Sequence, residues 1–182
     1  MELPFRKRTR LQNYDYSTPG YYFITICTHN RAKILSDIVP AVCPGGHTLH
    51  PMSDHSSDFV GRGIPDAPQI QLSAYGKIVQ GQLESMAQFY DDIILEKYVV
   101  MPNHIHLLIH IKGHLDPDES SRANERISRF VGTFKRFCNR QIGHNIWQTS
   151  FHDHVIRGEA DYQQIWMYIE TNPARWEKDC FY

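Results

Sequence analysis

The chain has 182 residues, 41% of them hydrophobic, which suits one ordinary globular domain with a real core. Its formal net charge is -1, from 19 Lys and Arg against 20 Asp and Glu, which excludes a general attraction to polyanions and leaves nucleic-acid contact to local clusters. Four scattered cysteines (Cys27, Cys43, Cys138, Cys180), no run of roughly 20 apolar residues and no signal-like opening predict a soluble, cytoplasmic, reduced protein with no membrane partner.

Arg6, Lys7, Arg8 and Arg10 form a first basic cluster. After Pro19-Gly20, the β-branched and aromatic run Tyr21-Tyr-Phe-Ile-Thr-Ile-Cys-Thr predicts the first strand, and a short second strand is expected over Ala32 to Val39. Residues of about 40–69 hold five of the ten prolines, four glycines and little periodicity, the mark of an irregular insertion within a hairpin. Its His47, His50 and His55 are expected in solvent. Ser73 is the candidate N-cap of a helix in which Tyr75, Ile78, Val79, Leu83 and Met86 recur at three and four residues, ending near Tyr90. Ile93 to Val100 reads as a strand, Met101-Pro102-Asn103 as its turn and His104 to Lys112 as the antiparallel return.

A helix over 123–141 follows. At 100° per residue Arg122, Arg126, Arg129, Arg136 and Arg140 share one stripe with no acidic residue on it, beside an apolar face of Ile127, Phe130, Phe134, Phe137 and Cys138. Such a helix docks by one face and offers cations to phosphates from the other. A strand from Asn145 to Arg157 and a helix from about Ala160 to Thr171 complete the chain, whose interspersed helices and hairpins imply an α+β fold with a mainly antiparallel sheet.

On the return strand Ile105, Leu107, Ile109 and Ile111 share one face, and His104, His106, Leu108 and His110 the other. Two imidazoles are thereby aimed at one point, the outline of a metal clamp. In the last helix Tyr162, Ile165, Trp166 and Ile169 make the core stripe, while Tyr168 and Asn172, four apart, are surface neighbours beside it. A tyrosine with a reference pKa of about 10 is a poor nucleophile alone, but a divalent cation beside a phosphodiester neutralises charge and lowers the barrier. Asn172 offers an amide oxygen as a third ligand, although Pro173 is expected to distort the last turn. Tyr162 is a second tyrosine on that helix, roughly 120° round from Tyr168. His152-Asp153-His154 repeats the alternation and is a rival metal site, suited to a hydrolase. Spacing leaves both sites open.

The segments Tyr98-Val-Val-Met-Pro-Asn-His-Ile-His-Leu-Leu-Ile, Ile146-Trp-Gln-Thr-Ser-Phe-His-Asp-His-Val-Ile-Arg157 and Tyr168-Ile-Glu-Thr-Asn-Pro173 resemble, in order and spacing, the REP-associated branch of the IS200-like tyrosine transposases. The resemblance implies one single-tyrosine nuclease domain over 1–182 with a ferredoxin-like αβ sandwich. It makes His104 and His106 the histidine pair of the HUH motif, Tyr168 the nucleophile and Asn172 the third ligand of a divalent metal, Mg2+ or Mn2+. His154 and Arg157 match family positions near the site. The implied substrate is single-stranded or hairpin DNA, cut through a 5′-phosphotyrosine intermediate. A hairpin binder that no longer cuts is the alternative, and monomer and homodimer both occur among such proteins.

Overall fold

The computed structural model describes residues 19–39, 68–113 and 126–178. Strand β1 (Gly20–Cys27) leads through a 3-10 turn to β2 (Ser36–Val39), which pairs antiparallel with β3 (Gln69–Leu72) in a small separate sheet. Helix α1 (Ala74–Phe89), the hairpin β4 (Ile93–Val100) and β5 (His104–Ile111), helix α2 (Arg126–Ile142), β6 (His152–Ile156) and helix α3 (Glu159–Thr171) follow, and α3 runs into a 3-10 turn at Pro173–Lys178. The main sheet has the order β4-β5-β1-β6, with every neighbouring pair antiparallel. Leaving β2 and β3 aside, this is a β-α-β-β-α-β path through an α+β, ferredoxin-like sheet.

The faces divide as the alternation in β5 requires. Ile105, Leu107, Ile109 and Ile111 join Tyr22, Ile24 and Ile26 of β1 in a core closed by Val79 and Leu83 of α1 and Phe130 and Phe134 of α2. Leu108 belongs to a second cluster on the other face, with Val99, Ile156, Ile169 of α3 and Trp176. Both faces of β5 are therefore covered, and the histidines that share Leu108's face lie under α3 rather than in solvent. Ser73 caps α1, its Oγ accepting from the Gly76 N–H at 3.0 Å.

Two expected strands and one expected core residue differ. The strand expected from Ala32 starts only at Ser36, because the chain turns at Asn30 and Arg31, with φ of 53° and 54°, and the Ile34 and Leu35 N–H groups then both donate to the Pro102 carbonyl instead of a ladder partner. The strand expected from Asn145 is confined to His152–Ile156, since the carbonyls of 148–150 converge on the Lys135 ammonium instead of a neighbouring strand. Phe137, expected in the apolar face of α2, is 38% exposed under the Arg136 guanidinium. The basic residues Arg6, Lys7, Arg8, Arg10 and Arg122, the loop histidines His47, His50 and His55, Cys43, Cys180 and most of the expected insertion lie outside the described residues. Among the described residues no helix is long and apolar enough to cross a membrane.

Candidate active site

The tight connection after β4 places Asn103 immediately before β5 and fixes the first histidine. His104 Nδ1 lies 2.8 Å from Asn103 Oδ1, so the ring donates there and carries a lone pair on Nε2. His106 Nε2 is 2.9 Å from His104 Nε2, and its Nδ1 is 2.8 Å from the hydroxyl of Thr25, the residue directly opposite it on β1. These partners assign one network: Thr25 donates to His106, His106 to His104, and His104 to Asn103. Both histidines are fully buried. Burial first, and the neighbouring His104 second, hold the His106 imidazole well below its usual pKa of 6.5.

Tyr168 arrives from α3. Its Oη lies 3.4 Å from His106 Nε2, and its ring meets that imidazole at 5.2 Å between centroids. Phe23 of β1 touches both rings, at 5.0 Å from His106 and 5.8 Å edge-on to Tyr168. Trp176, beyond α3, covers His104 at 5.9 Å. Asn172, expected beside Tyr168 on the helix surface, is instead buried one turn after it, and its φ of -57° and ψ of -42° are helical. The distortion expected from Pro173 is absent there, because the chain continues into a 3-10 turn in which the Arg175 N–H donates to the Asn172 carbonyl.

The donor set suits a divalent cation. The two Nε2 atoms face each other at 2.9 Å, so both imidazoles could turn a lone pair toward one ion between them. Both nitrogens must then carry lone pairs, so His106 has to move its proton to Nδ1. Thr25 permits this, since a hydroxyl accepts as readily as it donates. Among the described residues no group of three or more His, Cys, Asp and Glu gathers anywhere, so an ion here would rest on two imidazoles with oxygen ligands such as the Asn172 amide.

The rivals have other partners. His154 Nε2 is engaged by both Asp161 oxygens, at 3.0 and 3.1 Å, instead of turning with His152 toward a common ion. Tyr162 packs edge-on to Tyr21, which stacks on His110. The arginine helix α2 packs on the sheet face opposite the histidine pair. Arg129, Arg136 and Arg140 are exposed, and Arg126 pairs with Asp92, an acidic residue outside its own helix, at 2.6 Å. Sequence reading missed Thr25, Asn103, Phe23 and Trp176 as neighbours of the histidines. Two of them had a signal: Asn103 directly precedes His104, and Thr25 is the one threonine among the aliphatic and aromatic residues of β1.

The family model described as "Transposase IS200 like" matches residues 76–172, which takes in β4, β5, α2, β6, Tyr168 and Asn172. The chain belongs to the IS200-like transposase family. Membership carries a transposase-type function, and with it a DNA-cleaving enzyme. A relative in Haemophilus influenzae, itself described as uncharacterized, is 29% identical over 194 residues, covering 97% of this chain and 93% of its own length. Among solved structures, a REP-associated tyrosine transposase bound to a REP hairpin is similar with a TM-score of 0.51 at 18% identity, covering 86% of this family member and 67% of that chain. That likeness establishes the shared fold. A candidate transposase from Deinococcus radiodurans R1, also 18% identical, superimposes with a TM-score of 0.38 over 89% of this chain and 95% of its own.

Proposed function

We propose that the protein is a metal-dependent endonuclease and strand transferase for single-stranded DNA, of the single-tyrosine HUH type, that recognises hairpins of the REP kind. On this reading the chain is one domain, with the proline- and glycine-rich stretch of about 40–69 as an insertion. The observation that carries this is the approach of Tyr168 Oη to His106 Nε2, 62 positions away in sequence, at a buried histidine pair whose Nε2 atoms face each other at 2.9 Å.

His104 and His106, with Asn172, would hold the ion. Bound Mg2+ or Mn2+ supplies neutralisation of the phosphate charge. Tyr168 Oη attacks phosphorus, the bond to the 3′ oxygen breaks, and that oxygen departs as a 3′ hydroxyl while the 5′ phosphate stays on the tyrosine. One phosphoester forms for each one lost, so a 3′ hydroxyl attacking the adduct reverses the step and joins strands. Positioning does most of the catalytic work in such a transfer, and the packing of Tyr168 between Phe23 and His106 provides it. Both imidazoles are fully buried, with Trp176 packed beside His104.

The test is incubation with labelled hairpin oligonucleotides and Mn2+ or Mg2+. A covalent protein-DNA adduct is expected from the natural chain and none from Tyr168→Phe; an adduct that persists in that variant overturns the assignment. Salt-dependent binding with no adduct on any hairpin selects the non-cleaving alternative.

A further inference from the structure

Beside Tyr168, on the side away from the core, a cavity of about 630 Å3 opens between β1, β6 and α3. Its apolar walls are Phe23, Ile165, Met167 and the Tyr168 ring, and its polar groups include the His154–Asp161 pair and Arg175. The volume falls in the range of small-molecule sites, roughly 300–1,000 Å3, and the lining has their character of apolar walls with a few placed polar groups. Register explains the composition. Phe23 and His154 are directly opposite each other on β1 and β6, so the aromatic wall and the polar edge are cross-strand neighbours on the sheet face that carries the histidine pair.

We propose that this cavity is a nucleobase subsite, holding one unpaired base next to the phosphate attacked by Tyr168. The proposal rests on the reading of Tyr168 as nucleophile and names where the strand beside it is gripped. A nucleotide flanking that phosphate carries its base within one sugar of the tyrosine hydroxyl, and Tyr168 itself forms a wall of the cavity. Every base has a π-face that stacks on aromatic or thioether walls, and a base in a duplex cannot enter, so the cavity selects single strands. Met167 fits this role: it is 54% exposed, too open to contribute much to the core, yet lines the cavity. Asp161 also accepts the Arg157 backbone N–H at 3.1 Å, which fixes the carboxylate and through it the His154 ring as a hydrogen-bonding edge for the base.

The test is equilibrium binding by full-length Tyr168→Phe protein, so that cleavage does not intervene. The probes are fluorescent hairpin oligonucleotides copied from palindromes flanking the gene, with single-stranded arms in which each nucleotide in turn is made abasic. One abasic position in an arm is expected to weaken binding about ten- to hundredfold, the scale of one lost stacking contact. In Met167→Ala and His154→Gln backgrounds that penalty is expected to shrink to about twofold or less. Equal affinities across the panel, a penalty unchanged by both cavity variants, or no binding to any probe would overturn the subsite. The adduct assay on the natural chain reports separately: a subsite without an adduct refutes the nucleophile alone, and an adduct indifferent to every abasic position refutes the subsite alone.

Discussion

Thr25 Oγ1 stands 2.8 Å from His106 Nδ1, and the two residues face each other directly across the β1 and β5 pairing. Of the groups around the histidine pair, this hydroxyl is the one that lets His106 exchange tautomers without leaving a buried nitrogen unsatisfied. Partners behind a ligand imidazole typically set metal affinity within about ten- to hundredfold. Thr25→Val keeps the shape and removes the hydroxyl, so Mn2+ affinity measured by titration calorimetry is expected to fall by about that factor, while Thr25→Ser retains it. A valine variant that binds Mn2+ as tightly as the natural chain contradicts the role.

Gly76 sits in the first turn of α1 where the helix meets the segment before β2. A Cβ there would come 2.0 Å from the Leu35 carbonyl oxygen, the same oxygen that accepts the Ser73 N–H at 2.9 Å. Backbone cannot retreat as a flexible side chain can. Gly76→Ala is therefore expected to destabilise by about 1–3 kcal/mol in urea unfolding, despite the better helix propensity of alanine. Gly81→Ala on the same helix meets nothing within 4 Å and should stabilise by up to about 1 kcal/mol. Equal effects from the two substitutions would remove close packing as the explanation.

Much of this architecture was legible in the chain because its signals are local. The alternation of β5 named both faces correctly, the bounds of β4 follow from its composition, and the spacing of Tyr168 and Asn172 needs only one helical turn. What was not legible depends on register between distant segments. Nothing in the sequence around Thr25 says that it falls opposite His106 rather than His104, and nothing near Arg126 announces Asp92 from the connection before β4. The same holds for the arginine helix: its stripe is plain in the sequence, but its place on the sheet face away from Tyr168 follows from chain topology alone.

That placement separates binding from chemistry. If Arg129, Arg136 and Arg140 touch phosphates, they do so on the opposite side of the sheet from the candidate nucleophile. The triple substitution to Gln is expected to reduce the slope of log affinity against log salt for hairpin DNA by roughly 2–3, as each lost phosphate contact removes about 0.9 in duplex and 0.7 in single strands. The rate of adduct formation at saturating DNA should change by about twofold or less. Arg126→Gln, whose charge is already matched by Asp92, is expected to leave the slope near that of the natural chain. An unchanged slope in the triple variant would assign the stripe to plain solvated surface.

Lys135 gives a pH dependence that is independent of the catalytic groups. Its ammonium donates to the carbonyls of Gln148, Thr149 and Ser150, at 2.7, 3.3 and 3.0 Å, and so holds the approach to β6. Burial pulls its pKa from 10.5 to about 8, with Cys27 opposing, because three carbonyls replace the lost water incompletely. The folded value lies below the unfolded one, so between about pH 8 and 10.5 the unfolded chain holds more protons. Stability from this group therefore rises with pH across that window. Lys135→Met removes the titration and leaves the carbonyls without their donor, which is expected to cost about 1–3 kcal/mol near pH 7. In urea unfolding at intervals from pH 7.5 to 10, the natural chain should gain stability relative to the methionine variant at each step; parallel curves would mean that Lys135 titrates alike in both states and that burial does not govern it.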